Sequence, residues 1–167
     1  CKVWRAPKGK KRKNRSPRPI QPEPPSVTFV VSQMEKRDML PAIFFIFSRR
    51  GCDRAVKELY GFCLVNHQEQ KIIRKSFNKY VETNPEAVRD GFHVEALFNG
   101  IAAHHAGVLP AWKELIEQLF QMGLVKVVFA TETLAAGINM PARTTVIASL
   151  SKRTESGHRP LTGSEFL

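Results

Sequence analysis

Four short apolar runs restrict this chain more than any other feature: "PAIFFIF" at 41–47, "GIAAHH" at 100–105, "LVKVVFA" at 124–130 and "TTVIASL" at 144–150. Each has strand length. An uninterrupted run such as "PAIFFIF" suits a strand covered on both faces, which is how parallel strands read. Helical spacing fills much of the chain between and before these runs. After Pro24-Pro25, Ser26 is a good N-cap, and Val27, Val30, Val31 and Met34 fall on one helical face, although "VTFVV" also fits a strand. "SRRG" reads as a polar turn into a helix with Cys52, Ala55, Val56 and Leu59 on one side. Residues 66–82 read as a helix with Ile72, Ile73, Phe77, Tyr80 and Val81 inward, ended by Asn84-Pro85, and a further helix is expected around 86–98. In "GVLPAWKELIEQLFQMG", Pro110 suits a first helical turn and Gly123 a helix end, with Trp112, Leu115, Ile116, Leu119 and Phe120 as the buried stripe. Strands alternating with helices predict an α/β domain with a parallel sheet flanked by helices.

The charge is unevenly spread. Of a net +11, residues 1–20 contribute nine lysines and arginines and no acid, while the remainder holds 17 basic residues against 15 acidic ones. Residues 1–25 also carry six of the eleven prolines. Like charges repel and proline blocks hydrogen bonding, so this stretch reads as a disordered basic linker or insertion, with a folded domain over 26–167. As an interaction tail it would bind phosphates or act as a nuclear-import signal; as a solvated linker it would do neither. Cys1 in place of a start methionine reads as a piece of a longer protein. No apolar run reaches transmembrane length and no secretory signal opens the chain, so no membrane partner is expected. Cys1, Cys52 and Cys63 lack metal-ligand spacing; Cys52 and Cys63 read as small core residues.

Ligands of open parallel sheets bind at the carboxyl ends of the strands. Ser48-Arg49-Arg50-Gly51 follows the first strand, His104-His105-Ala106-Gly107 the second, and Thr131-Glu132-Thr133 the third. If the strands are parallel, all three polar segments emerge on one edge. Hydroxyls, guanidinium groups, an imidazole and free amides are donors that grip phosphate oxygens. None is a strong base, a nucleophile or a metal cage, so no catalytic residue and no metal ligand is assigned. Each group also has a simpler reading. Ser48 caps a helix, Arg49 and Arg50 are solvated, and a core histidine lies beside a loop histidine. Thr131 and Thr133 occupy a turn, as do Gly137 and Asn139 before Pro141.

"LPAIFFIFSRRGCDRAV", "GIAAHHAGVLPAWKELIEQLFQMGLVKVVFATETLAAGINMPARTTVI" and "LTGSEFL" resemble the second RecA-like domain of superkiller-type (Ski-like) DExH-box superfamily 2 RNA helicases, nearest to the plant chloroplast and cyanobacterial branch. The likeness covers roughly residues 27–167. "FFIFSRRG" is similar to motif IV, "AAHHAG" to the block after it, and "FATETLAAGINMPA" to motif V. The resemblance implies the C-terminal motor half of an ATP-dependent RNA helicase. Its implied RNA contacts are Ser48, Arg49, Arg50, His105, Gly107, Thr131, Glu132 and Thr133, and Gly137 and Asn139 approach ATP in the interdomain cleft. Asn139 stands where related helicases often carry aspartate. The implied cofactors, ATP and Mg2+, are held mainly by the first RecA-like domain of the same full-length chain, which is the implied partner besides RNA.

No phosphate loop and no DExH stretch occurs in these 167 residues, and they end before the arginine-rich motif VI. The chain alone is therefore expected to be inactive. Two other readings remain open: a non-catalytic RNA-binding fragment that uses the basic tail, and part of a related DNA helicase. The branch implies a chloroplast; a nucleus or a bacterial cytoplasm also suits the basic run.

Overall fold

The four apolar runs become the four strands of one all-parallel sheet: β1 (Ala42–Phe45), β2 (Ile101–His104), β3 (Val127–Ala130) and β4 (Thr144–Ile147), in the order β2-β3-β1-β4. The computed structural model describes residues 25–85, 91–131 and 140–148, and the backbone of 151–154 and 157–160. The basic tail, the segment 132–139 and "LTGSEFL" lie outside the described residues. β5 (Ser151–Thr154) and β6 (Gly157–Pro160) form a separate antiparallel pair that the apolar patterning did not reveal.

Period-two alternation assigns each strand residue to one of two cores. Ala42, Phe44, Ile101, Ala103, Val127 and Phe129 join Val31, Met34, Cys52, Ala55, Val56 and Leu59 on one face. These residues come from α1 (Val27–Lys36) and from α2 (Arg49–Glu58) with its C-cap Leu59, so α1 is a helix and the strand alternative for "VTFVV" is set aside. Ser26 caps α1, its side chain accepting from Phe29 N–H at 3.3 Å. On the opposite face, Ile43, Ala102, Val128 and Ala130 meet α3 (His67–Thr83), α4 (Gly91–Phe98) and α5 (Pro110–Gln121). All five stripe residues of α5 are buried, and Gly123 follows its C-cap Met122 at φ +70°.

α3 is anchored at both of its ends. Asn66 and Glu69 close a reciprocal capping box at its start (2.8 and 2.9 Å). Glu69 also accepts from Lys126 Nζ at 2.6 Å, just before β3, so this end lies at the amino edge of the sheet. Burial pushes the Glu69 carboxyl up. The hydrogen bonds from Lys126 and the Asn66 amide, with the lysine charge, outweigh it and hold the group below its ordinary value. At the other end Tyr80 packs on Trp112, in the first turn of α5, with ring centroids 5.6 Å apart. α3 thus runs alongside the sheet from its amino edge toward its carboxyl edge.

Three expectations need correction. Ile72 is 44% exposed; the inward stripe of α3 is Ile73, Phe77 and Tyr80, and Ile72 sits about 100° round from Ile73. "SRRG" is no separate turn, because Arg49–Gly51 already form the first turn of α2. Cys63 is exposed, the chain after α2 turning Leu64 and Val65 inward instead.

Candidate functional site

The strand ends coincide. Phe45 is level with Ala130, and Ala130 with His104, so β1, β3 and β2 finish at the same height. Their continuations share one edge, as the sequence pattern predicts for parallel strands.

After β1, Ser48 is the N-cap of α2, its Oγ accepting from Gly51 N–H at 3.2 Å. Arg49 and Arg50 are exposed in the first helical turn, where the unpaired amides of a helix start also point. Gly51 has no room for a side chain, since a Cβ there would lie 2.7 Å from Ile46 Cγ2. Behind this turn Cys52 is fully buried, its Sγ donating to Ile46 O at 3.5 Å. Burial, and then the neighbouring Asp53 charge, push its thiol up to about 12 despite an opposing backbone hydrogen bond. Only the thiolate is a good nucleophile. A thiol reagent should therefore modify exposed Cys63 in the native chain and reach Cys52 only as the chain unfolds, which peptide mass mapping over a labelling time course would show.

After β2 the two histidines diverge to opposite faces, and both are buried, at 2% and 4% exposure. His104 Nε2 lies 2.7 Å from Glu117 Oε1 on α5. His105 turns to α2, where its Nε2 lies 2.9 Å from Asp53 Oδ1. Its Nδ1 accepts from Gly107 N–H at 3.0 Å, so the ring proton belongs on Nε2 and is donated to Asp53. Asp53 Oδ1 is also 3.5 Å from His93 Nε2. A Cβ on Gly107 would come within 3.0 Å of the His105 ring, so glycine is what lets this amide approach the imidazole. The same position is 3.6 Å from Arg49 Cδ, which brings the first two segments together. Thr131, after β3, donates its backbone N–H to His104 O at 3.3 Å and joins the third.

Ser48, Arg49, Arg50, His105, Gly107 and Thr131 therefore lie along one edge; Glu132, Thr133, Gly137 and Asn139 fall outside the described residues. Sequence reasoning missed Asp53, Glu117 and His93. A signal for Asp53 existed: it lies one helical turn beyond Arg49 and so shares its face. The length of the segment after β3 also has a structural cause. β3 ends at the carboxyl edge, whereas β4 is parallel to β1 and begins level with Ala42 at the amino edge; joining parallel strands so placed is a return that takes a dozen or more residues. Arg143 ends this return on the amino edge, its N–H donating to Pro41 O at 2.8 Å.

Comparison with known proteins adds an independent line. Over 129 residues the chain is 54% identical to the chloroplastic DExH-box ATP-dependent RNA helicase DExH15 of Arabidopsis thaliana, a match that spans 77% of this chain and 11% of that protein. It is 42% identical over 163 residues to the probable helicase HelY of Mycobacterium tuberculosis (93% and 18%). It is 39% identical over 141 residues to the antiviral helicase SKI2 of Saccharomyces cerevisiae (82% and 11%). Its homologues are Ski2-like DExH-box helicases. The parallel α/β fold is RecA-like. The chain spans between 11% and 18% of the length of these three relatives. No family model matches it. Among the described residues, no helix is long and apolar enough to cross a membrane and no group of histidine, cysteine or acidic residues is placed to hold a metal ion.

Proposed function

We propose that this chain is the second RecA-like domain of an ATP-dependent Ski2-like RNA helicase, and that its carboxyl edge grips the RNA sugar-phosphate backbone. One observation carries the reading: the first turn of α2, the His105–Gly107 loop and Thr131 are linked to one another along a single edge of the sheet. Exposed guanidinium groups at a helix start and a hydroxyl at a strand end suit phosphate oxygens. His105, with both ring nitrogens engaged inside, sets the shape of its loop, and Gly107 approaches the ligand. Glu132 and Thr133 extend the RNA contact, while Gly137 and Asn139 reach ATP. A first RecA-like domain supplies the phosphate loop and most of the ATP and Mg2+ ligands. Phosphoryl transfer rests on positioning and charge neutralisation, so this half needs no reactive side chain of its own and the chain alone turns over no ATP. RNA is favoured over DNA because the chloroplastic DExH15 of Arabidopsis thaliana is an RNA helicase by name, and a plastid location follows the same relative.

The test uses the complete protein. Its ATP hydrolysis should rise with single-stranded RNA and much less with DNA of the same sequence, and Thr131→Ala should remove most of the RNA stimulation while leaving the thermal midpoint unchanged. Wild-type stimulation in that variant would discard the edge assignment, and equal stimulation by DNA would discard RNA as the substrate.

A further inference from the structure

The outward face of α3 is a basic surface that the carboxyl edge does not absorb. Lys71, Arg74, Lys75 and Lys79 lie at i, i+3, i+4 and i+8, opposite the buried Ile73, Phe77 and Tyr80, and all four are exposed. With Asn78 and Glu82 they line one shallow concavity. Among the described residues, Lys71, Lys75 and Lys79 have no acidic partner within ion-pair distance. The other carboxylate of this helix, Glu69, is turned to Lys126. Arg74 is held in place, its guanidinium carbon 4.1 Å from the centroid of the Phe98 ring.

We propose that this face is a second nucleic-acid contact, a basic track that carries the RNA phosphate backbone along the flank of the domain to the carboxyl edge. The inference rests on the RNA reading and extends it from the strand ends to the flank of the domain. Two features favour RNA over an acidic protein. The cations form a linear row along a helix axis, which follows a regularly charged polymer. The row also points toward the edge assigned to the same ligand, since α3 climbs from Lys126 at one edge to Trp112 at the other. Such contacts position a strand without reading its sequence, and their strength depends on released counterions.

The experiment measures binding of a fluorescent single-stranded RNA to the whole chain by anisotropy across a salt series. The variant replaces Lys71, Lys75 and Lys79 together with glutamine, which removes the charge and keeps a similar helix propensity. Each phosphate contact on a single strand adds about 0.7 to the log–log salt slope, so losing three should flatten it by about 2 and weaken binding about 100-fold at 0.1 M salt relative to 1 M. The basic tail is present in both proteins and cancels in the difference. An unchanged slope in a variant whose wild-type parent binds RNA would overturn the track and leave the edge assignment standing. No RNA binding by the wild-type chain at any salt would overturn both. Loss of polyglutamate binding with RNA binding intact would replace the track by a docking site for an acidic protein.

Discussion

Replacing Phe129 with alanine should destabilise the chain by about 3–5 kcal/mol. Phe129 is fully buried at the centre of β3, which has neighbours on both sides, β2 and β1. Its ring lies 5.1 Å from that of Phe44 on the adjacent strand, with Phe44 and Phe129 directly paired in register. The truncation removes the transfer energy of the ring and leaves a cavity that two hydrogen-bonded neighbours prevent from closing. Both strands beside it end at the candidate edge, so the loss also loosens the frame that sets Ser48, His105 and Thr131 side by side. In a chain of this size each kcal/mol lowers the thermal midpoint by roughly 2–4 °C, so a fall of roughly 6–20 °C is expected. Urea unfolding followed by circular dichroism measures it. Phe129→Leu, which refills much of the volume, should recover most of the loss; equal midpoints for wild type and Phe129→Ala would mean that β3 is not the centre of the core.

The strands were legible because burial on both faces leaves a local signature, an apolar run bounded by polar turns. Helices with a full stripe were legible for the same reason, α5 residue by residue. Common direction of the strands then followed from their alternation with helices, and with it the convergence of Ser48, His105 and Thr131 on one edge. What escaped was mostly non-local. The bond between His105 and Asp53 joins residues 52 apart in the chain, and the contact of Lys126 with Glu69 joins residues 57 apart. Neither leaves a pattern within a window of sequence. Exposure at single positions was also hidden: Ile72 lies one position away from the α3 stripe, and Cys63 lies in the connection that turns Leu64 and Val65 inward instead. The polarity of the stretch after β3 suits both a ligand-gripping loop and a plain turn, whereas the need to return to the amino edge before β4 depends on the strand order. That order, β2-β3-β1-β4, has no sequence marker of its own.

Removing the Asp53 carboxylate should disconnect two of the three segments of the candidate edge. The Gly107 amide donates to His105 Nδ1, which forces the ring proton onto Nε2, and Asp53 is the acceptor that receives it. Asp53→Leu leaves that buried N–H without its partner, a loss of about 1–3 kcal/mol. The imidazole is then no longer held from behind, and the Gly107 amide, which only a fixed ring can orient, loses its partner in turn. On the proposed reading, the complete protein carrying Asp53→Leu should lose RNA stimulation of hydrolysis by tenfold or more, mainly as weaker apparent RNA affinity. Asp53→Asn retains a carbonyl oxygen at the same place and should recover both stability and affinity. The nitrogen-15 shifts of the His105 ring supply a readout that a merely space-filling role would not move: protonated Nε2 with bare Nδ1 in wild type and Asp53→Asn, and a mixture of tautomers in Asp53→Leu. If the leucine variant keeps the wild-type tautomer and the wild-type RNA affinity, the carboxylate does not orient the loop, and Gly107 must be placed by the backbone alone.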